Sequence, residues 1–255
     1  MTTLINPVLE KLARDEAVLG TIVTVPSPAL VQILAGSGFD WLTFDMEHGP
    51  MSIETVHAMI NATTPTACVP TVRITTTAPW LAKPVMDAGA LGVMFPMVQT
   101  PELAADAVAA TNYPPVGVRG FAPIYTSYRW NVDMGTYAES ANQAVMNILL
   151  IEHIEAVNRV DEILAVPGID VAFVAPYDLS QSLGIPGAFD RPEFQEALAR
   201  AEKAVLASSA KLGGLAPSND DGRAMLDRGY RFLSLAYDGQ IIDQASRAFI
   251  DGVRG

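Results

Sequence analysis

A (β/α)₈ barrel folded as one domain over residues 1–255 is the class this sequence predicts, and three observations carry the prediction. Eight short apolar runs recur along the chain, each is followed by a segment of helical character, and 255 residues is a length that eight such units commonly fill as a single α/β barrel. The runs are continuous rather than alternating, as expected for parallel strands covered by helices on one face and by a packed core on the other. No strand-linked Gly-x-Gly-x-x-Gly and no P-loop supports an open doubly wound sheet instead.

The first run, LGTIVTV (19–25), leads into SPALVQILAGSG, where Ser27 can cap a helix, Pro28 suits its first position and Gly36 and Gly38 stop it. The second run, DWLTFD (40–45), ends in FDMEHGP, with Asp45, Glu47 and His48 packed into four positions, and SIETVHAMIN follows as a helix. ACVPTVRI (67–74) precedes a helix ending in KPVMDAGA, and LGVMFPM (91–97) is the fourth run. A long excursion over about 113–146 carries YPPVGVRGF and SYRW, and so long a connection is usually functional or an interface. NILLIE (147–152), DVAFVAP (170–176), LGGLAP (212–217) and RFLSLAY (231–237) complete the eight. The final segment sets Ile241, Ile242, Ala245, Phe249 and Val253 on one helical stripe, which needs a partner from its own barrel or a neighbour's.

Composition narrows the function. Half the residues are hydrophobic and mean hydropathy is +0.25, yet no apolar run approaches the roughly 18 residues that span a bilayer. The N-terminal segment has dispersed charges and no signal-like apolar stretch, so a cytoplasmic protein without a membrane partner is expected. A net charge of −12 repels phosphate backbones and argues against nucleic acid. Cys68 is the single cysteine, which rules out an intramolecular disulfide and a cysteine metal site; it reads as a small buried strand residue.

Barrels of this class carry chemistry at the carboxyl ends of their strands. The titratable groups expected there are Asp45, Glu47, His48, Arg73, Glu152 and Asp178. Glu152 and Asp178 follow adjacent strands, so both carboxylates could hold one hard divalent cation, Mg²⁺ or Mn²⁺ with Co²⁺ also accommodated, leaving positions for water and substrate. The structural alternatives are a salt-bridged core glutamate and a helix-capping aspartate. Arg73 reads either as a buried ion-pair partner or as a group that stabilises an oxyanion. Of the three histidines, His57 falls in a helical pattern and His153 should face away from the barrel centre, which leaves His48 as the general base. Asp87, in the last turn of a helix, opposes the helix dipole, and either a compensating partner such as a histidine or solvent would rationalise it.

In order and spacing, FDMEHGP, VPTVRI, LAKPVMDAGALGVMFPMVQ, NYPPVGVRGF, LLIEHIEAV and APYDLS resemble the class II pyruvate aldolases of the HpcH/HpaI family, over roughly residues 10–250. The resemblance implies a metal-dependent carbon–carbon lyase that reversibly cleaves 2-keto-4-hydroxy acids to pyruvate, or hydroxypyruvate, and an aldehyde. It also implies Glu152 and Asp178 as metal ligands, Arg73 as the stabiliser of enolate and alkoxide charge, His48 as the catalytic histidine and Asp87 as the carboxylate that raises its basicity. The backbone around Tyr177 and Asp178 would receive the substrate carboxylate, and Asp45 and Glu47 would order His48 or the metal's waters. A hexamer, a dimer of trimers that exchanges the last helix and completes the site at an interface, is implied as well.

Leu150 departs from the family pattern, standing where many members carry Gln, and removes a polar group from the pocket. Schiff-base chemistry is not expected, because Lys11, Lys83, Lys203 and Lys211 all lie away from the carboxyl ends of strands, and no organic cofactor is implied. Two rival functions stay open at this point: a related metal-dependent lyase acting on an acyl-CoA or phosphoenolpyruvate-type substrate, and a non-catalytic barrel that binds keto acids.

Overall fold

A computed structural model describes residues 3–255. Helix α1 (Pro7–Ala13) precedes β1 (Val18–Val23), α2 (Pro28–Gly36), β2 (Trp41–Asp45), α3 (Ile53–Ala62), β3 (Val69–Arg73), α4 (Pro79–Asp87), β4 (Gly92–Phe95) and α5 (Pro101–Thr111). Then come α6 (Ile124–Trp130), α7 (Met134–Ala144), β5 (Met146–Ile151), α8 (Ile154–Asn158), α9 (Val160–Leu164), β6 (Val171–Val174), α10 (Pro176–Ser182) and α11 (Pro192–Leu206). The chain finishes with β7 (Lys211–Ala216), α12 (Asn219–Asp227), β8 (Phe232–Tyr237) and α13 (Asp238–Arg254). All strands pair in parallel with their chain neighbours, and β8 returns to β1 to close the barrel. Each of the eight runs read from the sequence forms a strand within two residues of the expected ends. The excursion before β5 is not an open loop, since α6 and α7 occupy much of it.

Two apolar clusters follow from the two-residue period of a strand. Leu42, Phe44, Val72, Val93, Leu149 and Val174 point outward and pack under the helices. Trp41, Val69, Met146, Ile148, Leu150 and Phe173 point inward and fill the barrel together with Leu4, Val8 and Leu12 at its amino-terminal end. Trp41 stacks on Phe232 at 4.1 Å, and it fits only because Gly20 has no side chain: a Cβ there would lie 2.1 Å from the indole. A middle layer is sealed by a 2.6 Å hydrogen bond between Thr43 and Thr71. With the lower barrel plugged, the one open end is the carboxyl end, and the next inward residues up β2 and β3 are Asp45 and Arg73.

The final helix is the exception to this economy. From Ile242 onward every residue of α13 is exposed, Phe249 at 80% and Val253 at 90%. Of the stripe expected to need a partner, Ile241 is half-buried beside Leu235 and Ala216, while Ile242, Ala245, Phe249 and Val253 find no cover on their own barrel. Buried Asp238 fixes only the helix start, accepting from the Thr24 and Val25 backbone N–H groups at 3.0 and 2.8 Å. No helix among the described residues is long and apolar enough to cross a membrane.

Candidate active site

Strand register brings Asp45 opposite Arg73. Asp45 is fully buried and accepts twice from Arg73, Nε to Oδ1 at 2.9 Å and Nη2 to Oδ2 at 2.6 Å. The same Oδ1 also accepts from the backbone N–H groups of Glu47 and His48 at 3.0 and 3.2 Å, which folds the DMEH turn back over the strand end. Burial pushes the Asp45 carboxyl up, but the guanidinium and these donors outweigh it and hold the group below the usual carboxylate range. Arg73 thus has its fork pinned, while Nη1 has no partner among the described residues and the side chain lines the cavity above. Arg73 is thus the buried ion-pair partner of Asp45, one of its two sequence alternatives, and it also lines the pocket.

Glu47 lies 3.4 Å from Arg73 Nε and 3.7 Å from His48 Nε2. Burial raises its carboxyl pKa, with Arg73 opposing the shift. The His48 side chain is 65% exposed and also lines the cavity, so it can exchange protons with solvent or a bound molecule.

Glu152 stands one residue beyond β5, continuing the inward row of Ile148 and Leu150. Its Oε1 accepts from the Met97 backbone N–H at 2.6 Å. Met97 adopts φ +55°, a left-handed conformation that costs a residue with a Cβ about 1–2 kcal/mol. Nothing among the described residues donates to Oε2. Burial pushes the Glu152 carboxyl up to about 7, and the negative charges of Asp178 and Glu47 add to the effect. Asp178 lies in the first turn of α10, not at the cap; Ala175 occupies that position without a side-chain bond, and no donor reaches the Asp178 carboxylate among the described residues. The capping alternative for Asp178 is therefore wrong, and so is the salt-bridged alternative for Glu152. Strand spacing alone does not set their separation either, since Asp178 sits three residues past the level of Glu152 on β6 and is returned toward it by the helical turn.

The cavity over this layer measures about 280 Å³ and is lined by Asp45, His48, Arg73 and Asp178, with Tyr177 and Tyr237 at its sides. Its floor is apolar: Ile22, Met94, Leu150, Phe173 and Leu215. Leu150 does point into the pocket, as expected, and leaves that part of the wall without a hydrogen-bonding group.

No group of three or more His, Cys, Asp or Glu side chains close enough to hold a metal ion occurs among the described residues. The arrangement is instead two carboxylates with free oxygens, one of them buried against like charge. Such a set fits a hard cation that completes its shell with water and substrate rather than a closed protein cage.

Asp87 is not brought to His48 within one chain. A helix following a barrel strand runs back toward the amino-terminal end, so the last turn of α4 lies at the rim opposite the site. There Asp87 accepts from the fully buried guanidinium of Arg119 at 2.8 Å, and the barrel's own His48 is no partner of it. Burial raises the Asp87 carboxyl pKa despite that arginine. Asp87 also borders a surface cavity of about 300 Å³ with His57 and Tyr125. His153 caps α8, its Nδ1 accepting from Glu155 N at 3.1 Å, and Cys68 is buried with its thiol pushed up to about 12. Met97, Arg119 and Asp238 were not read from the sequence. GVRG carried the only signal, an arginine between glycines; a left-handed methionine leaves none.

A closed barrel with acids, a base and a guanidinium around a cavity at the carboxyl ends of its strands is the form of a barrel enzyme, and sequence relatives narrow the class to the aldolases, which are carbon–carbon lyases. A hydroxypyruvate/pyruvate aldolase of Delftia acidovorans is 36% identical over 244 residues, covering 95% of this chain and 90% of that protein. A 2-keto-3-deoxy-L-rhamnonate aldolase of Escherichia coli is 34% identical over 255 residues, covering 98% and 95%. A crystal structure of an HpcH/HpaI aldolase/citrate lyase family protein from Burkholderia cenocepacia superposes with a TM-score of 0.92 at 33% identity, covering 98% of this chain and all of that one. The HpcH/HpaI aldolase/citrate lyase pattern matches residues 20–245, and the chain belongs to that family.

Proposed function

We propose that this enzyme is a divalent-metal-dependent aldolase that reversibly cleaves 2-keto-4-hydroxy acids to pyruvate or hydroxypyruvate and an aldehyde. The observation that carries the reading is the buried Glu152 carboxylate, its Oε2 free, with Asp178 one strand over and Arg73 within electrostatic reach. A Mg²⁺ or Mn²⁺ ion held by Glu152 and Asp178 would supply Lewis-acid stabilisation of the charge that C3–C4 cleavage leaves on the keto acid.

The chain's own residues do the rest. Arg73, oriented by Asp45, offers Nη1 to the oxygen on which charge develops. His48, with the Glu47 carboxylate 3.7 Å from its Nε2, takes the proton of the 4-hydroxyl on cleavage and returns it in synthesis. The substrate carboxylate lies against the chain at Tyr177 and Asp178, and the apolar floor keeps the reacting carbons from water. Arg73 is the one lysine or arginine among the described lining residues, which leaves the phosphates of an acyl-CoA or phosphoenolpyruvate without a second cation.

The assembly would be a hexamer in which α13 is exchanged between subunits and Asp87 of one copy reaches His48 of the next. Supporting this are the uncovered stripe of α13 and the exposed Trp80, Tyr125 and Tyr128 in the α4 and α6 region. The function is tested by deuterium exchange into the pyruvate methyl group, followed by NMR. Exchange should require Mg²⁺ or Mn²⁺ and stop on adding a chelator; exchange at the background rate under all conditions would remove the reading.

A further inference from the structure

Beside the catalytic cavity lies a second chamber of about 280 Å³, set between α10, α11 and α12 over the ends of β6 and β7. The two spaces share Pro176, Tyr177 and Leu215 as a common wall. Leu215 is anchored in β7 against the barrel core, and Pro176 opens α10 with its ring fixed. Tyr177 is the part of the wall that nothing locks. It is 59% exposed, its hydroxyl has no partner among the described residues, and its ring only leans edge-on against Phe189, with centroids 5.0 Å apart.

The chamber behind it has the chemistry of a binding pocket for an uncharged chain. Val174, Phe194, Leu198 and Met225 supply apolar walls. Arg228, the one lysine or arginine among its described lining residues, lies 3.6 Å from Glu202, and Asp221 adds a second negative charge at the rim, so an anionic tail would find no unpaired positive group there. A neutral aliphatic chain would displace weakly held water there at little polar cost.

We infer that the Tyr177 ring sets the size limit of the aldehyde acceptor: it closes one side of the catalytic cavity, and the chamber behind it is room for a longer neutral aldehyde that the ring withholds. This rests on the aldolase reading. On that reading the keto acid lies at Arg73 and against the backbone at Tyr177 and Asp178, and the Tyr177 ring and Leu215 are the wall that the acceptor chain meets.

The test is the ratio of kcat/KM for hexanal to that for acetaldehyde, each added to pyruvate by the metal-loaded enzyme. In Tyr177→Ala the ratio should rise about tenfold or more, since one methylene gained or lost in an apolar pocket is worth on that order. Tyr177→Val should give a smaller rise, and Tyr177→Phe, which keeps the wall and loses only the hydroxyl, should keep the wild-type ratio. Adding Ala224→Phe to Tyr177→Ala refills the chamber from α12 and should bring the ratio back down. An unchanged ratio in both Tyr177→Ala and Tyr177→Val, or an equal rise in Tyr177→Phe, overturns the inference. Pyruvate methyl exchange in the wild type separates the two levels. Exchange with an unmoved ratio removes the role of Tyr177 alone, and absence of exchange removes the aldolase reading and this inference with it.

Discussion

Asp45 and Arg73, register partners on β2 and β3, form a two-point ion pair whose carboxylate is fully buried and whose guanidinium Nη1 has no partner among the described residues. A buried pair is weak evidence for stability, because desolvation offsets much of the attraction. It is strong evidence for orientation, because two parallel bonds fix a planar group in a way one ammonium cannot.

Arg73→Lys should therefore lower kcat by about 100-fold or more while the protein remains folded, because lysine retains the charge but neither the fork nor the free third nitrogen. Asp45→Ala should do more structural damage, since it strands the guanidinium and releases the turn carrying Glu47 and His48. A loss of about 3 kcal/mol in urea unfolding is expected. Equal activity of Arg73→Lys and wild type in steady-state kinetics would remove Arg73 from charge stabilisation.

The proposed base and the proposed metal ligands are separable by metal titration. Glu152→Gln keeps the shape and the Met97 contact but removes the charge, so the Mg²⁺ or Mn²⁺ concentration for half-maximal activity should rise at least tenfold. His48→Ala should cut aldol turnover by about 100-fold or more and leave that concentration nearly unchanged. Calorimetric titration of metal into both variants checks the assignment, and a large loss of metal affinity in His48→Ala would move that residue into the coordination shell.

A pH effect should arise away from the site. Among the described residues Asp170, before β6, is offered only the Asn147 backbone N–H, at 2.7 Å, and burial pushes its carboxyl up to about 6 from an ordinary 3.8. The folded state thus holds this proton more tightly than the unfolded chain. Its contribution to stability is full below about 3.8 and is lost as pH rises through 6, with a slope of at most about 1.4 kcal/mol per pH unit. Asp170→Asn keeps an acceptor and cannot ionise, so its melting temperature should gain on wild type from pH 4 to pH 7. A difference that stays constant over that range would show that Asp170 does not titrate there.

The last helix should govern assembly. Phe249→Asp with Val253→Asp places charges on the uncovered stripe without touching the barrel core, so light scattering should report a smaller particle than the wild type while circular dichroism stays the same. An unchanged mass would remove α13 from the proposed assembly.

The fold was largely legible because the hydrophobic pattern of a barrel is local. Each strand announces itself as an apolar run, a helix such as α2 by its period and its Ser27 cap, and the length leaves room for eight such units. The candidate site was legible to the extent that it obeys the same rule. Asp45, Arg73 and Glu152 occupy the inward row just above the apolar layers, and a two-residue period suffices to place them there.

What the sequence by itself determined, then, is the barrel, the end that carries the chemistry, the residue types gathered there and the helical stripe in need of a partner. Only the tertiary structure decided which groups meet. It closed the fork of Arg73 on Asp45, put a left-handed Met97 under Glu152, returned Asp178 by a turn of helix, and sent Asp87 to Arg119 at the opposite rim. The physical reason is range. Periodicity and capping act over a few residues and leave a mark in the chain, whereas these pairings join residues 28 to 55 positions apart through register, chain direction and burial, which exist only once the barrel has closed.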